Sequence, residues 1–543
     1  MSQKVIKDSV HGYIALDNIF SQIVDSPEFQ RLKSIEQGSF RILYPAARHD
    51  RFIHSLGTFY LSKKFAENFI INIKEDLGIS ISRNILGKIL NTFYYAALLH
   101  DIGHAPFSHT SEKFFKRKTT DDGNIAINQQ LFDAIKKVSN KKEYEKFISE
   151  FSGCSPSPHE IISATILVEK ANDFLSENKG NIYLELAARM VIGCTYDYNN
   201  LSIKDDNEKN IYGIKNCFIR LLNSSTVDVD KMDYITRDTQ MSGFFNVPID
   251  IDRLVKSVTA IKEEEGWIYP AFRKNALSVI DNVFKAKIEQ SLWMVSHPVV
   301  LYDSELLSYC INTLNNLIKT DYIENVFTIE ALSKDGIVLN GKKYRLLNDI
   351  DISADLRSFY EDNDIIKELF ERQSRRHPIW KSYYEYKYLF DSDEIQEDVF
   401  LYFKGLMDYM EFTKLFVLND GIFKTIIIDC NVSQKVKDAA EFLKDFCERN
   451  KVLFDFVILP SSNSFSPNFD PKHVYINFGK LPKRGGFNYI TYEDLKGVVK
   501  TDDKKRMFYI YSKEKFSMDL IEKLINALKS KVAKPKNVKK PRV

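Results

Sequence analysis

Two histidines and two aspartates in the first half of the chain have the types and settings of metal ligands. His100 and Asp101 stand side by side at the end of the apolar run FYYAALL, with His54 before them and Asp230 after them. Burying such polar groups costs free energy unless they find partners. A divalent cation needs more donors than an adjacent pair supplies, so the other ligands must come from other helices. We predict that these four residues bind one divalent metal ion per chain; helix capping or a satisfied polar core is the alternative.

A mixed set of imidazole and carboxylate ligands favours Mn, Fe, Mg or Zn, and it does not distinguish among these four metals. An ion of this kind polarises a phosphoryl oxygen or a water molecule, which predicts hydrolysis of a phosphate ester. Such a reaction also needs positive charge around the phosphate oxygens. Arg51 lies three residues before His54, and Lys231 follows Asp230. We therefore predict that both cations contact phosphate.

Three further histidines are candidates for proton transfer to a leaving group. His104 and His109 follow the His-Asp pair, and His159 opens a later helix. Histidine is the side chain that can donate a proton near neutral pH. Glu112 and Glu160 stand close enough in sequence to orient these rings or to raise their pKa values. The predicted catalytic residues are His159, His109 and His104, although His159 could also be only a helix cap.

Helices must position these side chains, and the apolar spacing predicts where they lie. An extended segment with a turn at His11–Gly12 precedes two short helices split at Pro27. The polar stretch 116–155 indicates an inserted helical hairpin or a mobile loop, and 196–212 reads as a solvated connector. The helices that carry the candidate ligands are predicted at 51–73, 85–99 and 221–237, and long helical packing is predicted over 276–317.

The pattern changes after about residue 330, which predicts a second region. Strand-like runs occur at 425–429, 452–459, 474–478 and 507–511, and helical spacing occurs at 433–450 and 518–528. We predict a helical domain over 1–340, with the metal site inside 50–240, and an accessory α/β region over 341–528. The basic tail 529–543 has seven Lys or Arg and no acid. It is predicted to be disordered and is compatible with weak nucleic-acid contact.

Composition excludes several classes of protein. The formal net charge of +2 on 543 residues gives no global attraction to nucleic acid or membrane. Six scattered cysteines without a CxxC pair argue against a disulfide framework and a zinc knuckle. No apolar run is long enough to cross a bilayer. We therefore expect a cytoplasmic protein without membrane contact.

The order His54, His100-Asp101, Asp230 resembles the HD-domain superfamily of metal-dependent phosphohydrolases. Flanking strings make the resemblance closer: the chain is similar to the deoxynucleoside triphosphate triphosphohydrolases of the SAM-and-HD-domain type and their bacterial relatives. The strings that carry it are VIKDSVHGYI, VDSPEFQRLKSIEQ, RFIHSLGT, LLHDIGHAPFSH, PHE and VDVDKMDYITRD. They cover roughly the first 300 residues.

This resemblance implies a mainly α-helical HD-domain core with a smaller C-terminal α/β (α+β) region, in a homo-oligomer. It implies hydrolysis of a deoxynucleoside triphosphate to the deoxynucleoside and tripolyphosphate. His159 would act in catalysis, and the substrate-binding residues would be Gln37, Arg51, His104, His109, Lys231, Tyr234 and Asp238. An activating nucleotide is a further option, at a site formed by Lys4, Val5, Asp25, Gln30 and Lys33.

Two other functions remain open at this stage. An HD site serves many phosphate esters, so the substrate could be a nucleoside monophosphate, a cyclic nucleotide or a nucleic-acid end. A nucleotide sensor or scaffold without catalysis is the second alternative. The base, the sugar and the metal are not determined by these residues.

Overall fold

The fold is mainly helical and is completed by small β-sheets, as the sequence predicts. A computed structural model describes residues 4–116, 123–201, 203, 205–225, 227–244, 247–409, 415–463, 470–479, 488–496 and 505–532. Two compact units are present. The first comprises residues 1–290, 318–355 and 467–500, and the second comprises 291–317, 356–466 and 501–543.

Helices account for most of the described chain. They are α1 (Asn18–Asp25), α2 (Pro27–Gln30), α3 (Arg51–Leu77), α4 (Arg83–Leu99), α5 (Gly123–Val138), α6 (Lys141–Phe151), α7 (Pro158–Glu169), α8 (Ala171–Leu175), α9 (Leu184–Ile192), α10 (Asp206–Leu222), α11 (Val229–Ser242), α12 (Ile251–Ser257), α13 (Leu277–Gln290), α14 (Pro298–Ile318), α15 (Tyr322–Val326), α16 (Asp349–Arg357), α17 (Asp364–Phe370), α18 (Tyr383–Leu389), α19 (Asp393–Met407), α20 (Asp420–Ile428), α21 (Gln434–Asn450), α22 (Tyr492–Lys496) and α23 (Met518–Val532).

Within the described residues, the strands form four small sheets. They are β1 (Lys4–Asp8), β2 (Gly12–Leu16), β3 (Val258–Lys262), β4 (Ile268–Arg273), β5 (Ile337–Leu339), β6 (Lys342–Tyr344), β7 (His377–Pro378), β8 (Phe416–Asn419), β9 (Asp455–Asn463), β10 (Tyr475–Asn477), β11 (Tyr489–Thr491) and β12 (Lys505–Ser512). Hairpins β1-β2 and β5-β6 and the sheet β11-β10-β4-β3 belong to the first unit, and the sheet β7-β12-β9-β8 belongs to the second.

Helix α3 is the central helix of the first unit. Asp50 caps its N-terminus by accepting a hydrogen bond from the Ile53 amide, and Gly78 ends it in the left-handed conformation. Its buried residues include His54, and it packs against α4, α11 and β3. His54 therefore lies on a buried face of this helix.

Side-chain caps also define the N-termini of α7 and α11, the other two helices that carry candidate site residues. Ser157 and Glu160 form a capping box at the start of α7, with Pro158 at its first position. Asp228 accepts a hydrogen bond from the amide of Lys231 and caps α11. These caps place His159 and Asp230 in the first turns of their helices.

In the second unit, the core is a four-stranded antiparallel sheet packed with helices. β12 pairs with β9 along its whole length, from Lys505 opposite Asn463 to Ser512 opposite Phe456. α19 packs on β12 and on α21 and α23. The predicted α/β character of the C-terminal region is therefore confirmed.

Several predicted boundaries differ from the structure. The predicted helix 221–237 is the end of α10 and the start of α11, separated around the Asp228 cap. The predicted strand 425–429 is part of α20, whose N-cap Asn419 accepts a hydrogen bond from the Ile422 amide. The predicted connector 196–212 already contains the start of α10.

The basic tail from residue 533 onwards lies outside the described residues, while 529–532 complete α23. The linear division into 1–340 and 341–528 remains a prediction about domains. The compact units are made of interleaved segments, because 318–355 and 467–500 pack in the first unit. Among the described residues, no helix is both long enough and apolar enough to cross a membrane.

Candidate metal centre

The four predicted metal ligands converge. His54 Nε2 lies 2.9 Å from Asp230 Oδ1, 3.5 Å from Asp101 Oδ2 and 3.3 Å from His100 Nε2. His100 Nε2 in turn lies 3.4 Å from both Asp101 Oδ1 and Asp230 Oδ1. Ligands about 2.1 Å from one ion are separated from each other by distances of this order. The donor set therefore fits one divalent cation, held by residues of α3, α11 and the end of α4.

Hydrogen bonds at the far side of each imidazole ring support this role. His54 Nδ1 lies 2.7 Å from Asp233 Oδ2, and His100 Nδ1 lies 2.9 Å from the carbonyl of Ala97. A carboxylate or a carbonyl can only accept, so Nδ1 must donate in both rings. In the neutral form, each ring then presents the lone pair of Nε2 toward the other ligands. Sequence reasoning missed Asp233.

Asp233 belongs to a buried network at the base of the centre. It accepts hydrogen bonds from Arg237 and lies 2.6 Å from His11 Nε2. Arg237 also donates to Asp8. Asp233 and Arg237 are an i, i+4 pair on α11, but this spacing alone does not connect the pair with His54 on α3.

The charges of the centre stabilise one another. Burial opposes the charged form of His54, but hydrogen bonds to Asp230 and Asp233 outweigh burial and raise its pKa to about 10. Burial likewise opposes ionisation of Asp101, yet the charges of His100 and Arg51 hold its pKa well below its usual range. Hydrogen bonds from His100 and His54 likewise outweigh burial and hold the pKa of Asp230 well below its usual range, so both predicted carboxylate ligands are anionic, as cation binding requires.

Three histidines and a glutamate form a second cluster beside the first. His159 Nδ1 lies 2.7 Å from Glu112 Oε2, and His109 Nδ1 lies 3.4 Å from Glu112 Oε1. The rings of His104 and His159 stack with centroids 4.1 Å apart. Glu160, the other predicted partner, instead accepts hydrogen bonds from Ser157 and Asn223. Glu112 is thus the residue that orients two of the three predicted catalytic rings.

The three rings differ in environment. His104 is fully buried and lies 3.1 Å from Asp101 Oδ1 without hydrogen-bond geometry, whereas the side chain of His109 is 61% exposed. Burial, and then the charge of Arg51, hold the pKa of His104 well below its usual value. For His159, burial acts in the same direction, but the hydrogen bond and charge of Glu112 outweigh it and raise the pKa. His159 is therefore a better proton donor than His104.

The segment that joins the two clusters has a constrained backbone. Phe107 and Ser108 both have positive φ, at 58° and 52°, a region that side chains other than glycine rarely adopt. The Phe107 amide donates to Asp349, and the Ser108 hydroxyl accepts a hydrogen bond from Arg51. Paired polar groups thus fix the path between His104 and His109.

A family model for the HD domain matches residues 51–191. This range begins at the N-terminus of α3 and contains His54, the His100-Asp101 pair and the histidine cluster. Residues 51–191 form an HD domain. Asp230 comes from α11, beyond the matched range.

Two relatives of known sequence are similar to about half of this chain. The chain is 28% identical over 298 residues to an uncharacterised protein of Methanocaldococcus jannaschii, covering 55% of this chain and 47% of that protein. It is 30% identical over 259 residues to the deoxynucleoside triphosphate triphosphohydrolase of Gallus gallus, covering 47% of this chain and 36% of that enzyme. The chain therefore spans about half or less of the length of these relatives.

One solved structure resembles nearly the whole chain. It is a hypothetical protein from Aquifex aeolicus, with a TM-score of 0.54 and 16% sequence identity, and the match covers 97% of this chain and 100% of that one. At this identity the likeness concerns the fold alone. The fold around the HD domain is thus one already observed experimentally.

Arg51, at the start of the HD domain, is engaged within the chain. Its guanidinium donates to Asp101 Oδ2 at 2.8 Å, to the Gln37 carbonyl at 2.8 Å and to the Ser108 hydroxyl at 2.9 Å. Lys231 donates to Asp228 at 2.5 Å and to the Ser224 carbonyl at 2.7 Å. Both predicted phosphate contacts therefore stay predictions, and the geometry adds a second role for Arg51, which is to hold Asp101.

The predicted sugar-binding residues are linked through His49, which sequence reasoning missed. The backbone amide of Gln37 donates a hydrogen bond to the backbone carbonyl of His49. His49 Nε2 lies 2.7 Å from Asp238 Oδ1. Asp238 Oδ2 accepts a hydrogen bond from Gln290 at 2.8 Å. The side-chain oxygen of Gln37 is buried and has no hydrogen-bond partner among the described residues, so this group is available to a ligand.

Tyr234 has a second missed neighbour in Lys287. The Lys287 ammonium donates to the Tyr234 hydroxyl at 2.7 Å and lies 4.4 Å from the centre of its ring. Burial, with the nearby charge of Lys231, lowers the pKa of Lys287 to about 8. No sequence motif marks this lysine, because α13 reads as ordinary helical packing.

The residues predicted for an activating nucleotide lie outside the HD domain and make local contacts. Lys4 forms an ion pair with Asp25, and Gln30 donates to the carbonyl of Val24. Lys33 lies 4.6 Å from the centre of the Phe52 ring, and Val5 is exposed. An activating nucleotide there remains a prediction.

Proposed function

We propose that this protein is a metal-dependent phosphohydrolase that cleaves deoxynucleoside triphosphates to a deoxynucleoside and tripolyphosphate. The convergence of His54, His100, Asp101 and Asp230 within hydrogen-bonding distance of one another carries the proposal. The likeness to an enzyme named for this reaction in Gallus gallus supports it over other phosphate esters.

The division of labour among the chain's residues follows from their contacts. A divalent cation at the centre would polarise the phosphoryl group and the attacking water. Arg51 holds Asp101 in place, and Asp233 holds His54. Gln37, Tyr234 and Asp238 would bind the sugar, which would set the α-phosphorus nearest to the centre.

Proton transfer falls to the histidine cluster. Water attacks the α-phosphorus, the bond between phosphorus and the 5′-oxygen breaks, and the proton that the water loses recharges the proton donor after each turnover. The leaving oxygen needs a proton, which His159 can donate from Nε2 because Nδ1 is held by Glu112. Glu112 then stabilises a ring that alternates between its charged and neutral forms. His109, which also contacts Glu112, is the second candidate donor.

The products in ¹⁸O-labelled water test this mechanism. Purified protein is supplied with each deoxynucleoside triphosphate and with Mn, Fe, Mg or Zn in turn, and the products are resolved by chromatography. Attack at the α-phosphorus puts the label into tripolyphosphate and none into the deoxynucleoside. Release of labelled orthophosphate, with a diphosphate left behind, would refute it and would favour an HD hydrolase of another specificity.

Metal dependence has its own test. Elemental analysis of the wild type is expected to give one divalent ion per chain, and Asp101→Ala should lose both the ion and the activity. Stoichiometric metal retained in Asp101→Ala would refute the ligand assignment. Metal binding without hydrolysis of any nucleotide would instead favour a sensor.

A further inference from the structure

A polar cavity of about 700 Å³ lies in the first unit, lined by residues of α5, α6, α9 and α10 and by the segments next to them. This volume is in the range of small-molecule sites. None of the candidate metal ligands lines the cavity, and neither does any residue of the histidine cluster. It is therefore a separate place in the fold, and the proposed hydrolysis does not use it.

The lining of this cavity is strongly basic. Six basic residues face three acidic ones among the side chains that line it. Arg189 pairs with Glu185 and Glu150, and Lys137 pairs with Glu169, which leaves four lysines beside two acids: Lys142, Lys146, Lys179 and Lys215 beside Glu143 and Glu208. The cavity thus presents an excess of positive charge.

Lys215 is the most unusual of these cations. Its ammonium is surrounded by three tyrosine rings, with centroid distances of 4.6 Å to Tyr212, 5.4 Å to Tyr183 and 5.5 Å to Tyr196. Within the described residues, it has no carboxylate within 4.0 Å. A partly buried cation that contacts ring faces and forms no ion pair keeps its capacity to bind an anion.

Two more lysines on α6 extend this positive surface. Lys142 and Lys146 line the cavity, and in the described part of the chain neither pairs with a carboxylate. Their neighbour Lys141 does not line the cavity; it is exposed and approaches Glu145 at 3.9 Å. The unpaired lysines therefore stand on the side of α6 that faces the cavity.

The tyrosines supply the second kind of contact. Tyr183 and Tyr212 are only partly buried, and the Arg189 guanidinium lies 4.1 Å from the ring centre of Tyr196, which fixes that wall. Aromatic faces of this kind stack on flat heterocycles, and lysines bind phosphate oxygens as point charges. The combination fits a ligand that has both parts.

We propose that this cavity is a binding site for a nucleoside triphosphate, with the phosphates on Lys142, Lys146 and Lys215 and the base against Tyr183 and Tyr212. The proposal does not depend on the hydrolytic function of the HD domain. It assigns a ligand-binding role to the α5-α6 hairpin and to α9 and α10.

Equilibrium dialysis with radiolabelled ATP tests the site on the full-length protein, with EDTA present so that the metal centre is empty of cation. Lys142→Glu and Lys215→Met are each expected to weaken ATP binding by ~10-fold or more, the loss of one charge-assisted contact. Two matched variants are expected to bind ATP within about twofold of the wild type. Lys141→Glu makes the same charge change one residue away, and Lys88→Met removes a cation that lies 4.6 Å from the Tyr183 ring but does not line the cavity.

Photo-crosslinking with 8-azido-ATP locates the ligand independently. Label in peptides that contain Tyr183 or Tyr212 supports the proposal, and label confined to the peptides of the metal centre overturns it. Because Lys142 is exposed, Lys142→Glu keeps the test decisive even if Lys215→Met fails to fold. Equal ATP binding by Lys142→Glu and Lys141→Glu also overturns the proposal.

Two competitors test the chemical class. Inorganic tripolyphosphate that displaces ATP at equal concentration would show that the tyrosines do not bind a base, and would overturn the assignment. A single-stranded oligonucleotide that binds more tightly than ATP, and is weakened by Lys142→Glu, would overturn it in favour of nucleic acid. Weak displacement by both competitors supports a nucleoside triphosphate.

Discussion

His54 Nδ1 lies 2.7 Å from Asp233 Oδ2, and both side chains are fully buried. Asp233 is therefore a positioning residue for the candidate metal centre, since its carboxylate fixes which nitrogen of His54 faces the other ligands. Arg237 and His11 bind the same carboxylate and hold it in turn. Three buried side chains, those of Asp233, Arg237 and His11, thus act together to orient one ring.

Replacement of Asp233 by Asn should weaken metal binding by about 10- to 100-fold, because the amide removes the negative charge that raises the basicity of His54. Metal affinity is measured by titration with a competing chelator. Asp250→Asn, at the exposed N-cap of α12, is the matched control and should leave the affinity unchanged. An unaltered affinity in Asp233→Asn, with an intact fold, would contradict the orienting role.

Gly57 allows α11 to approach α3 at this network. A Cβ atom at position 57 would lie 1.9 Å from Asp233 Oδ1 and 2.4 Å from Arg237 Nη2. Gly57→Ala should therefore destabilise the protein by about 1–3 kcal/mol and weaken metal binding as well. Urea unfolding and the same chelator titration measure the two effects.

Gly87 in α4 provides the control for this substitution. No atom lies within 4 Å of a Cβ built there, so Gly87→Ala should stabilise the helix by about 0.5–1 kcal/mol. Equal effects of the two substitutions on stability would show that the close approach of Gly57 to Asp233 is unimportant.

The metal ligands could be predicted from sequence because their types are rare in apolar helices, but their orienting partners could not. Asp233 and His49 become recognisable only when α3 and α11 are packed together. Lys287 lies on a helix whose pattern is that of ordinary packing. In the sequence, Glu160 is the neighbour of His159 and Glu112 that of His109, and only the structure shows that the capping box engages Glu160 and that Glu112 contacts His159.

The same limit applies to the fold. Apolar spacing predicted α3 and α4 well, since long amphipathic helices carry a strong periodic signal. It did not predict that β10 pairs in parallel with β4, with Tyr475 opposite Ala271, because pairing between such distant segments leaves no local pattern. The run TIIID at 425–429 fits a strand or a helix, and the Asn419 cap upstream resolves it as a helix.

Lys287 should impose a pH dependence on substrate binding if the proposed hydrolysis is correct. Its pKa of about 8, lowered mainly by burial, means that the ammonium is charged below pH 8 and neutral above it. A positive group beside Tyr234 would favour a triphosphate, so KM should rise by ~10-fold as the pH increases through 8.

Lys287→Met tests this expectation. The variant should have a higher KM at pH 7 and little change between pH 7 and 9, whereas Lys285→Met, on the exposed side of α13, should behave as the wild type. A KM profile that is identical in wild type and Lys287→Met would exclude contact between this lysine and the substrate.

Glu112 should control the pH range in which His159 donates its proton. Burial opposes the charged ring, and the hydrogen bond and charge of Glu112 outweigh it and raise the His159 pKa. Glu112→Gln removes that charge, so the ring should lose its proton at a lower pH. The basic limb of the kcat profile should therefore move to lower pH, and kcat at neutral pH should fall by about 100-fold with a smaller change in KM.

Glu160→Gln is the matched control, because that carboxylate caps α7 instead of contacting the ring. It should lower stability and move the pH profile less than Glu112→Gln does, because the charge of Glu160 raises the His159 pKa without a hydrogen bond to the ring. If both variants shift the profile equally, the effect arises from the position of α7, and the pairing of Glu112 with His159 does not set the acid.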